Sequence, residues 1–278
     1  MQVDILLATY NGEKFIRQQL DSLLEQTYQG WRLLAHDDGS TDNTVKILKE
    51  YNDKYPDQIF LLADGIKCGG AKENFSYLMT SSNAKYIMFC DQDDVWLKNK
   101  VEVTLDRMKK LEQQYPDKAL LIHSDLKVAN EKLDVISNSM FDYQRLPQQI
   151  KSIDQIVVQN NITGCTVMVN KCALDVSLPI GENAIMHDWW IGIKVLQSNG
   201  IIDFIPEPLI LYRQHQENAV GSKKIDIKYF LLKFLNLRNS VALYKNIWNQ
   251  AKSAGVNVSG CDFFFNKLMA ILRRLFNL

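Results

Sequence analysis

Between residues 3 and 90 the chain alternates short apolar runs with longer amphipathic ones, and this alternation limits the fold more than any other feature. Residues 3–9, 31–36, 59–63 and 86–89 are mainly apolar and of strand length. Between them, residues 13–26 place Phe15, Ile16, Leu20, Leu23 and Leu24 at helical spacing. A second helical pattern runs through Val45, Ile47 and Leu48, and a third contains Asn74, Phe75 and Leu78. Strands alternating with helices in this way predict a parallel sheet covered on both faces. Right-handed crossovers then put every strand-to-helix loop at the same sheet edge. The polar loops at 9–11, 37–42, 65–70 and 91–94 should therefore converge on one cleft, where open α/β sheets hold their ligands.

The last of these loops is Asp91-Gln92-Asp93-Asp94, three carboxylates within four residues. Crowded carboxylates repel and raise one another's pKa. A divalent cation, hard and oxygen-seeking, resolves the conflict. The plainer alternative is a solvated acidic turn with Asp94 near the N-cap of the next helix. On these residues alone the two readings balance.

Beyond residue 97 the pattern loosens. A helix is predicted over 98–114, a strand over 120–125, and then a long polar connection to about 149. Residues 161–169 read as a strand, His187 opens a helix ending near Gly200, and 201–205 and 209–212 read as two short strands. The 278 residues suffice for one large domain or two small ones. No apolar run approaches the roughly 20 residues of a membrane span, and no cleaved leader is expected, so a cytoplasmic location is predicted. The five cysteines are scattered without a CxxC pair, which predicts reduced thiols and neither zinc nor disulfides. Residues 222–278 carry ten Lys or Arg against two Asp or Glu, whereas the preceding 221 carry 22 against 30. An acidic body with a basic tail and no nucleic-acid reading motif argues against a nucleic-acid partner.

Ala8-Thr9-Tyr10-Asn11-Gly12, Asp37-Asp38-Gly39-Ser40-Thr41-Asp42, Gly69 with Asn74-Phe75, Asp91-Gln92-Asp93-Asp94-Val95-Trp96, Gly164-Cys165-Thr166, His187-Asp188-Trp189 and Tyr212-Arg213-Gln214-His215 follow one another in order. Together they resemble family 2 glycosyltransferases of the GT-A fold, over residues 3 to about 217. The 91–96 form resembles the rhamnosyltransferase branch of bacterial cell-wall and capsular polysaccharide synthesis. The resemblance implies an α/β catalytic domain over 1–221, with a mostly parallel sheet flanked by helices. Its nucleotide-binding half would span about 1–97 and its acceptor half about 98–221. A basic amphipathic helical extension would follow over 222–278.

The resemblance further implies a dTDP- or UDP-sugar donor, with L-rhamnose the leading sugar, and Mg²⁺ or Mn²⁺ as cofactor. Thr9, Tyr10, Asn11 and Glu13 would pack against base and ribose. Asp38 would accept from the base, Asp91 would hold the ribose or reach the metal through water, and Gln92 belongs to the same nucleotide-sugar set. Asp93 and His215 would ligate the metal, with Arg213 as a phosphate clamp. Asp188 would be the catalytic base. Trp96, Gly164, Cys165 and Trp189 would shape the acceptor side, where aromatic faces suit sugar C–H surfaces.

The residues also admit duller roles. Asp38 can close an Asx-turn, His215 can be a surface histidine, Lys67 is expected to be solvated, Trp190 and Trp248 to be core, and Asp188 can cap its helix. As a base, Asp188 gains from Trp189 and Trp190, whose bulk raises a carboxylate pKa towards neutrality. A single carboxylate implies inversion by one displacement. The Gln-X-X-Arg-Trp motif of processive synthases is absent, which implies addition of one sugar or a few. The apolar stripes of the tail read first as two helices packed on the catalytic domain. Peripheral membrane contact, serving a glycan or lipid-linked acceptor, and a homodimer interface are the alternatives. Two rival functions are a nucleotidyltransferase, which normally carries a basic Gly-rich loop after the first strand, and a non-catalytic nucleotide-sugar-binding module.

Overall fold

The computed structural model describes residues 2–150, 152–216, 218 and 237–276. The repeating first half comprises β1 (Val3–Thr9), α1 (Ile16–Leu24), β2 (Trp31–Asp37), α2 (Thr44–Lys54), β3 (Ile59–Leu61), α3 (Ala71–Thr80) and β4 (Tyr86–Cys90). These strands pair in parallel, in the order β3-β2-β1-β4. Thr9 stands opposite Asp37 and Leu7 opposite Cys90, so the carboxyl ends align along one edge. Ile5 and Leu7 join one hydrophobic core and Leu6 the other, as period-two side chains in a sheet covered on both faces must.

The second half adds β5 (Val95–Trp96), α4 (Lys100–Gln114), β6 (Leu120–Ala129), β7 (Val135–Ser137), α5 (Met140–Gln144) and α6 (Ile153–Val158). After a 3₁₀ turn at Gly164–Thr166 come β8 (Met168–Asn170), α7 (Lys171–Ser177), α8 (His187–Gln197) and β9 (Ile201–Arg213). Among the described residues they extend the sheet to nine strands, β3-β2-β1-β4-β8-β6-β9-β5, with β7 on β6. β8 runs antiparallel to both β4 and β6, while β9 is parallel to β6.

Three expectations change here. Residues 161–169 are not one strand. Gly164 lies against the His187 ring, where an added Cβ would stand 2.8 Å from Nε2, and the backbone turns before β8 begins. The polar connection after 125 is partly structured, because the carboxylate of Asp125 accepts from Leu126 N (2.7 Å), Met140 N (3.0 Å) and Ser139 Oγ (2.5 Å). That buried acceptor organises the start of α5. The two strands expected over 201–212 are a single β9, since shifts in register against β6 near Asp125 accommodate Pro206 and Pro208.

Two C-terminal helices, α9 (Leu237–Ser253) and α10 (Gly260–Phe276), both pack on α6. Ile247, Ala251 and Phe263 are buried. Gln250 is fully buried, and its Oε1 accepts from Ile185 N at 2.7 Å. Arg274 donates to Gln144 O (2.7 and 3.1 Å) while Arg145 Nη1 donates to Leu275 O (3.2 Å), a reciprocal clasp between α5 and the end of α10. The predicted stretch from 222 to 236 lies outside the described residues. No helix among those described is long and apolar enough to cross a membrane.

Candidate active site

The carboxyl ends of β1, β2 and β4 and the start of α8 surround a cavity of about 890 Å³. Its polar wall is a set of loops that hold one another by side chain to backbone bonds. Asp37 closes an Asx-type turn, accepting from Gly39 N (3.1 Å), Ser40 N (2.8 Å) and Ser40 Oγ (2.6 Å). Thr9 Oγ1 donates to the same carboxylate at 2.9 Å. Gly39, at φ 90°, supplies the left-handed residue this turn requires. Asp37, not Asp38, thus closes the turn. Asp38 instead gathers the backbone N–H groups of Cys68, Gly69 (3.0 Å) and Gly70 (2.8 Å), anchoring the loop that leads into α3.

Gln92 makes two bonds with one residue: Tyr10 N donates to its Oε1 and its Nε2 donates to Tyr10 O, each at 2.9 Å. The side chain therefore ties the β1 loop to the β4 loop across 82 residues. Asn11 N donates to Ser40 Oγ (2.7 Å), and Asn11 Oδ1 accepts from Thr41 N (2.9 Å). Glu13 turns away and accepts from Asn43 N and Nδ2, at 2.8 and 2.7 Å. Glu13 and Asn11 are not among the cavity-lining residues, whereas Thr9, Tyr10, Asp38, Asp91 and Gln92 are. Lys67 is exposed, but its stem lies over Gly39 at the rim.

The three carboxylates separate. Asp93 faces the cavity, with Oδ2 2.8 Å from His215 Nε2 and 3.4 Å from Asn218 Nδ2. The His215 ring packs 4.7 Å from Phe15. The two groups hydrogen-bond to each other here. Since cis ligands of an octahedral cation at about 2.1 Å stand about 3.0 Å apart, the same pair has the spacing to hold a Mg²⁺ or Mn²⁺ ion in place of the shared proton. Asp91 also lines the cavity; burial, then Asp93 and Asp188, push its pKa up to about 7. Asp94 is fully buried and accepts from Arg213 N at 3.0 Å. Burial first, then Asp93 and Asp91, hold its pKa well above the usual carboxylate range.

Beneath the cavity, ligand atoms of Asp91, Asp94 and Cys165 lie within 4.8 Å of one another. This set suits a hard cation less well, because it includes a soft thiol and a carboxylate sealed away from the cavity. Lys100 is buried nearby, its Nζ 4.0 Å from the Trp96 ring centroid, and burial lowers its pKa to about 8. Nothing in the sequence pattern marked Lys100, which sits on an otherwise ordinary amphipathic helix.

Asp188 occupies the first turn of α8, is 8% exposed and lines the cavity. Oδ1 accepts from Trp189 N at 2.6 Å. Burial lifts its pKa to about 6, against opposing bonds from Trp189 N, Gly164 N and the Asn160 side chain. A carboxylate so placed is ionised at neutral pH yet basic enough to accept a proton.

The opposite wall is largely apolar, formed by Met140, Leu146, Ile162, Ile185, Met186 and Trp189. Gly164 lines it as well. Cys165 and Trp96 do not; both are core, 1% and 2% exposed. Arg213 is 2% exposed, and it braces the chain by donating to Asp93 O (2.7 Å), Glu131 O (2.6 Å) and Gln18 Oε1 (2.6 Å). Trp190 is buried and Trp248 partly so, against Phe263. Met140, Gln144 and Leu146 went unmarked because they come from a short helix and the loop after it, which carry little periodicity.

The profile of Glycosyl transferase family 2 matches residues 4–168, which contain β1 to β4 and the acidic loop. The chain belongs to this family. Among curated proteins, the chain is 28% identical over 271 residues to dTDP-rhamnosyl transferase RfbG of Shigella flexneri, covering 94% of this chain and 86% of that one. It is 28% identical over 200 residues to UDP-Glc:alpha-D-GlcNAc-diphosphoundecaprenol beta-1,3-glucosyltransferase WfgD of Escherichia coli, covering 72% of this chain and 71% of that one. Among solved structures, S. aureus TarS 1-349 in complex with UDP-GlcNAc superimposes with a TM-score of 0.61 at 16% identity, covering all of this chain and 73% of that one. The mannosyltransferase PcManGT of Pyrobaculum calidifontis, in complex with GDP-Man and Mn²⁺, gives 0.63 at 14%, covering 98% and 69%. Against a longer TarS chain the match covers only 37% of that protein. The fold of this family 2 member is GT-A, its mixed and mostly parallel sheet flanked by helices, and its chemistry is glycosyl transfer.

Proposed function

We propose that the protein is an inverting, metal-dependent glycosyltransferase acting in bacterial cell-wall or capsular polysaccharide synthesis. The donor is dTDP-L-rhamnose, a reading supported by the similarity to RfbG over nearly the whole chain. The acceptor is a glycan on a lipid diphosphate, as in the name of WfgD. The enzyme works on the cytoplasmic side, at the inner face of the membrane.

One observation carries the mechanism: the buried carboxylate of Asp188 faces the same cavity as Asp93, which His215 contacts from outside the lining, and the knitted loops of β1, β2 and β4. The loops present Thr9, Tyr10 and Asp38 to the nucleotide. Asp93 and His215 would hold the divalent ion. When bound, that ion neutralises charge on the departing diphosphate. Asp188 takes the proton from the acceptor hydroxyl as its oxygen bonds to the anomeric carbon. The bond to the nucleotide diphosphate breaks on the opposite face, so the configuration inverts. The apolar wall around Trp189 and Ile162 receives the C–H faces of the acceptor.

The test is release of nucleotide from dTDP-rhamnose and UDP-glucose, with Mn²⁺ and with EDTA, and analysis of the linkage formed. Metal-dependent release with dTDP-rhamnose and an inverted linkage is expected. Equal release in EDTA, or retention of configuration, would refute this assignment.

A further inference from the structure

A second cavity, of about 360 Å³, adjoins the first. Leu146 lines both. Gln159 lines the second, and the next residue, Asn160, lines the first and bonds to Asp188. Successive Cα atoms are about 3.8 Å apart, so the second cavity begins one residue from a group that holds the base.

The two cavities differ in charge. The first concentrates carboxylates, whereas the second is lined by Arg145, Arg273 and Arg274 against one acid, Asp154. Arg145 is held by the carbonyls of Arg274 and Leu275, which fix the guanidinium without neutralising it. Beyond the rim lies an outward apolar stripe on α10: Phe264 is 64% exposed, Phe265 63%, Leu268 53% and Phe276 63%. Large exposed apolar side chains grouped on one helix face mark an interaction surface. Phe265 belongs to both stripe and cavity wall.

Three environments thus follow one another: a sugar-sized cavity with its base, a cationic cavity, and an apolar helix face. A glycan, an anionic group and a hydrocarbon chain meet in that order in a polyprenyl-diphosphate-linked sugar. We propose that the second cavity is the subsite for the diphosphate of the lipid-linked acceptor, and that the apolar face of α10 rests on the bilayer holding its tail. Guanidinium groups bind phosphate by charge-assisted, often bidentate hydrogen bonds. A second copy of the chain on the α10 face would leave the arginine cavity, continuous with the active site, without a role. The closeness of the cavities implies a short glycan on the lipid. This proposal rests on the transferase reading above.

The test uses the full chain with Mn²⁺ present and UDP saturating, so that the first cavity is occupied. Farnesyl diphosphate is the probe, with inorganic pyrophosphate, farnesol and phosphatidylglycerol vesicles as separate arms. Farnesyl diphosphate should bind alongside UDP, more tightly than pyrophosphate or farnesol. Arg273→Gln should weaken it about ten-fold, the loss of one charge-assisted contact, and Arg273→Lys by less. Phe265→Ser should weaken farnesyl diphosphate but not pyrophosphate. UDP affinity and melting temperature should not change in these variants.

Competition between farnesyl diphosphate and UDP, or equal binding by Arg273→Gln, would overturn the assignment. So would vesicle binding as tight as that of farnesyl diphosphate and lost equally in Arg273→Gln, which indicates a lipid headgroup. A dimer that dissociates in Phe265→Ser while farnesyl diphosphate binding is retained would give the face to a second copy. Nucleotide release without farnesyl diphosphate binding removes only this subsite. No nucleotide release from any donor removes the transferase reading, and the subsite with it.

Discussion

The two halves of the cavity are built on different principles. On the side proposed for the donor, polar side chains bond to backbone groups of neighbouring loops: Asp37 to 39–40, Asp38 to 68–70, Gln92 to Tyr10 and Asn11 to 40–41. On the side proposed for the acceptor the wall is mainly apolar, assembled from α5, the turn at 164 and the segment before α8, and buttressed from behind by Gln250 of α9. Buried histidines of the surrounding sheet and helices show the same contrast. His36, in β2, has Nδ1 2.8 Å from Asn74 Oδ1. In the second half of the chain, Nδ1 of His123 and both ring nitrogens of His187 have no hydrogen-bond partner among the described residues. A diphosphonucleotide is polar and common to many donors, so a fixed hydrogen-bonded frame serves it. Acceptors present varied C–H surfaces, for which a replaceable apolar wall suffices.

The largest effect tests the point where the halves meet. Asp188→Asn should reduce transfer about 10³-fold, the usual scale for a general base, with donor binding intact by calorimetry. With a pKa of about 6, Asp188 is an active carboxylate above that pH and protonated below it. The wild-type rate should therefore be flat above about pH 6 and fall tenfold per unit below. A profile unchanged down to pH 4.5 would exclude Asp188 as the base. Next, Asp93→Ala should raise the Mn²⁺ concentration for half-activity about 10–100-fold, the range for disturbed metal sites. An unaltered metal titration would move the ion elsewhere.

Two smaller changes sharpen the contrast directly. Gln92→Leu removes both bonds to Tyr10 and should raise the donor KM about ten-fold, leaving the acceptor KM unchanged. Met140→Ala should do the reverse. If either variant moved both constants equally, the halves would not be separable.

The smallest effect concerns stability. Burial between Phe141 and Phe204 lowers the pKa of His123 to about 3. Between pH 6.5 and 3 the unfolded chain then binds a proton that the folded chain refuses, so His123 costs stability as pH falls. Denaturant titrations should show the loss between pH 7 and 5 to be smaller by about 2 kcal/mol in His123→Phe than in wild type. Equal losses would mean that His123 is protonated in the fold.

The division between sequence and tertiary structure follows the same line. Hydrophobic period and length predicted β1 to β4, their helices and the meeting of their loops, because each strand buries both faces and so spells itself locally. The direction of the Asp188 shift agrees with the expectation, but its cause is burial, and the backbone N–H of Trp189 opposes it. The partners of long polar side chains were not legible in the sequence. Glu13 reaches Asn43, Arg213 braces three segments, Asp38 gathers a loop 30 residues away, and Trp96 turns into the core. Each identity is compatible with several contacts at similar cost, and only the folded backbone decides which one is within reach. The turn at 164 and the cavity beneath α10 arise likewise from packing between segments far apart in the chain, which no local period encodes.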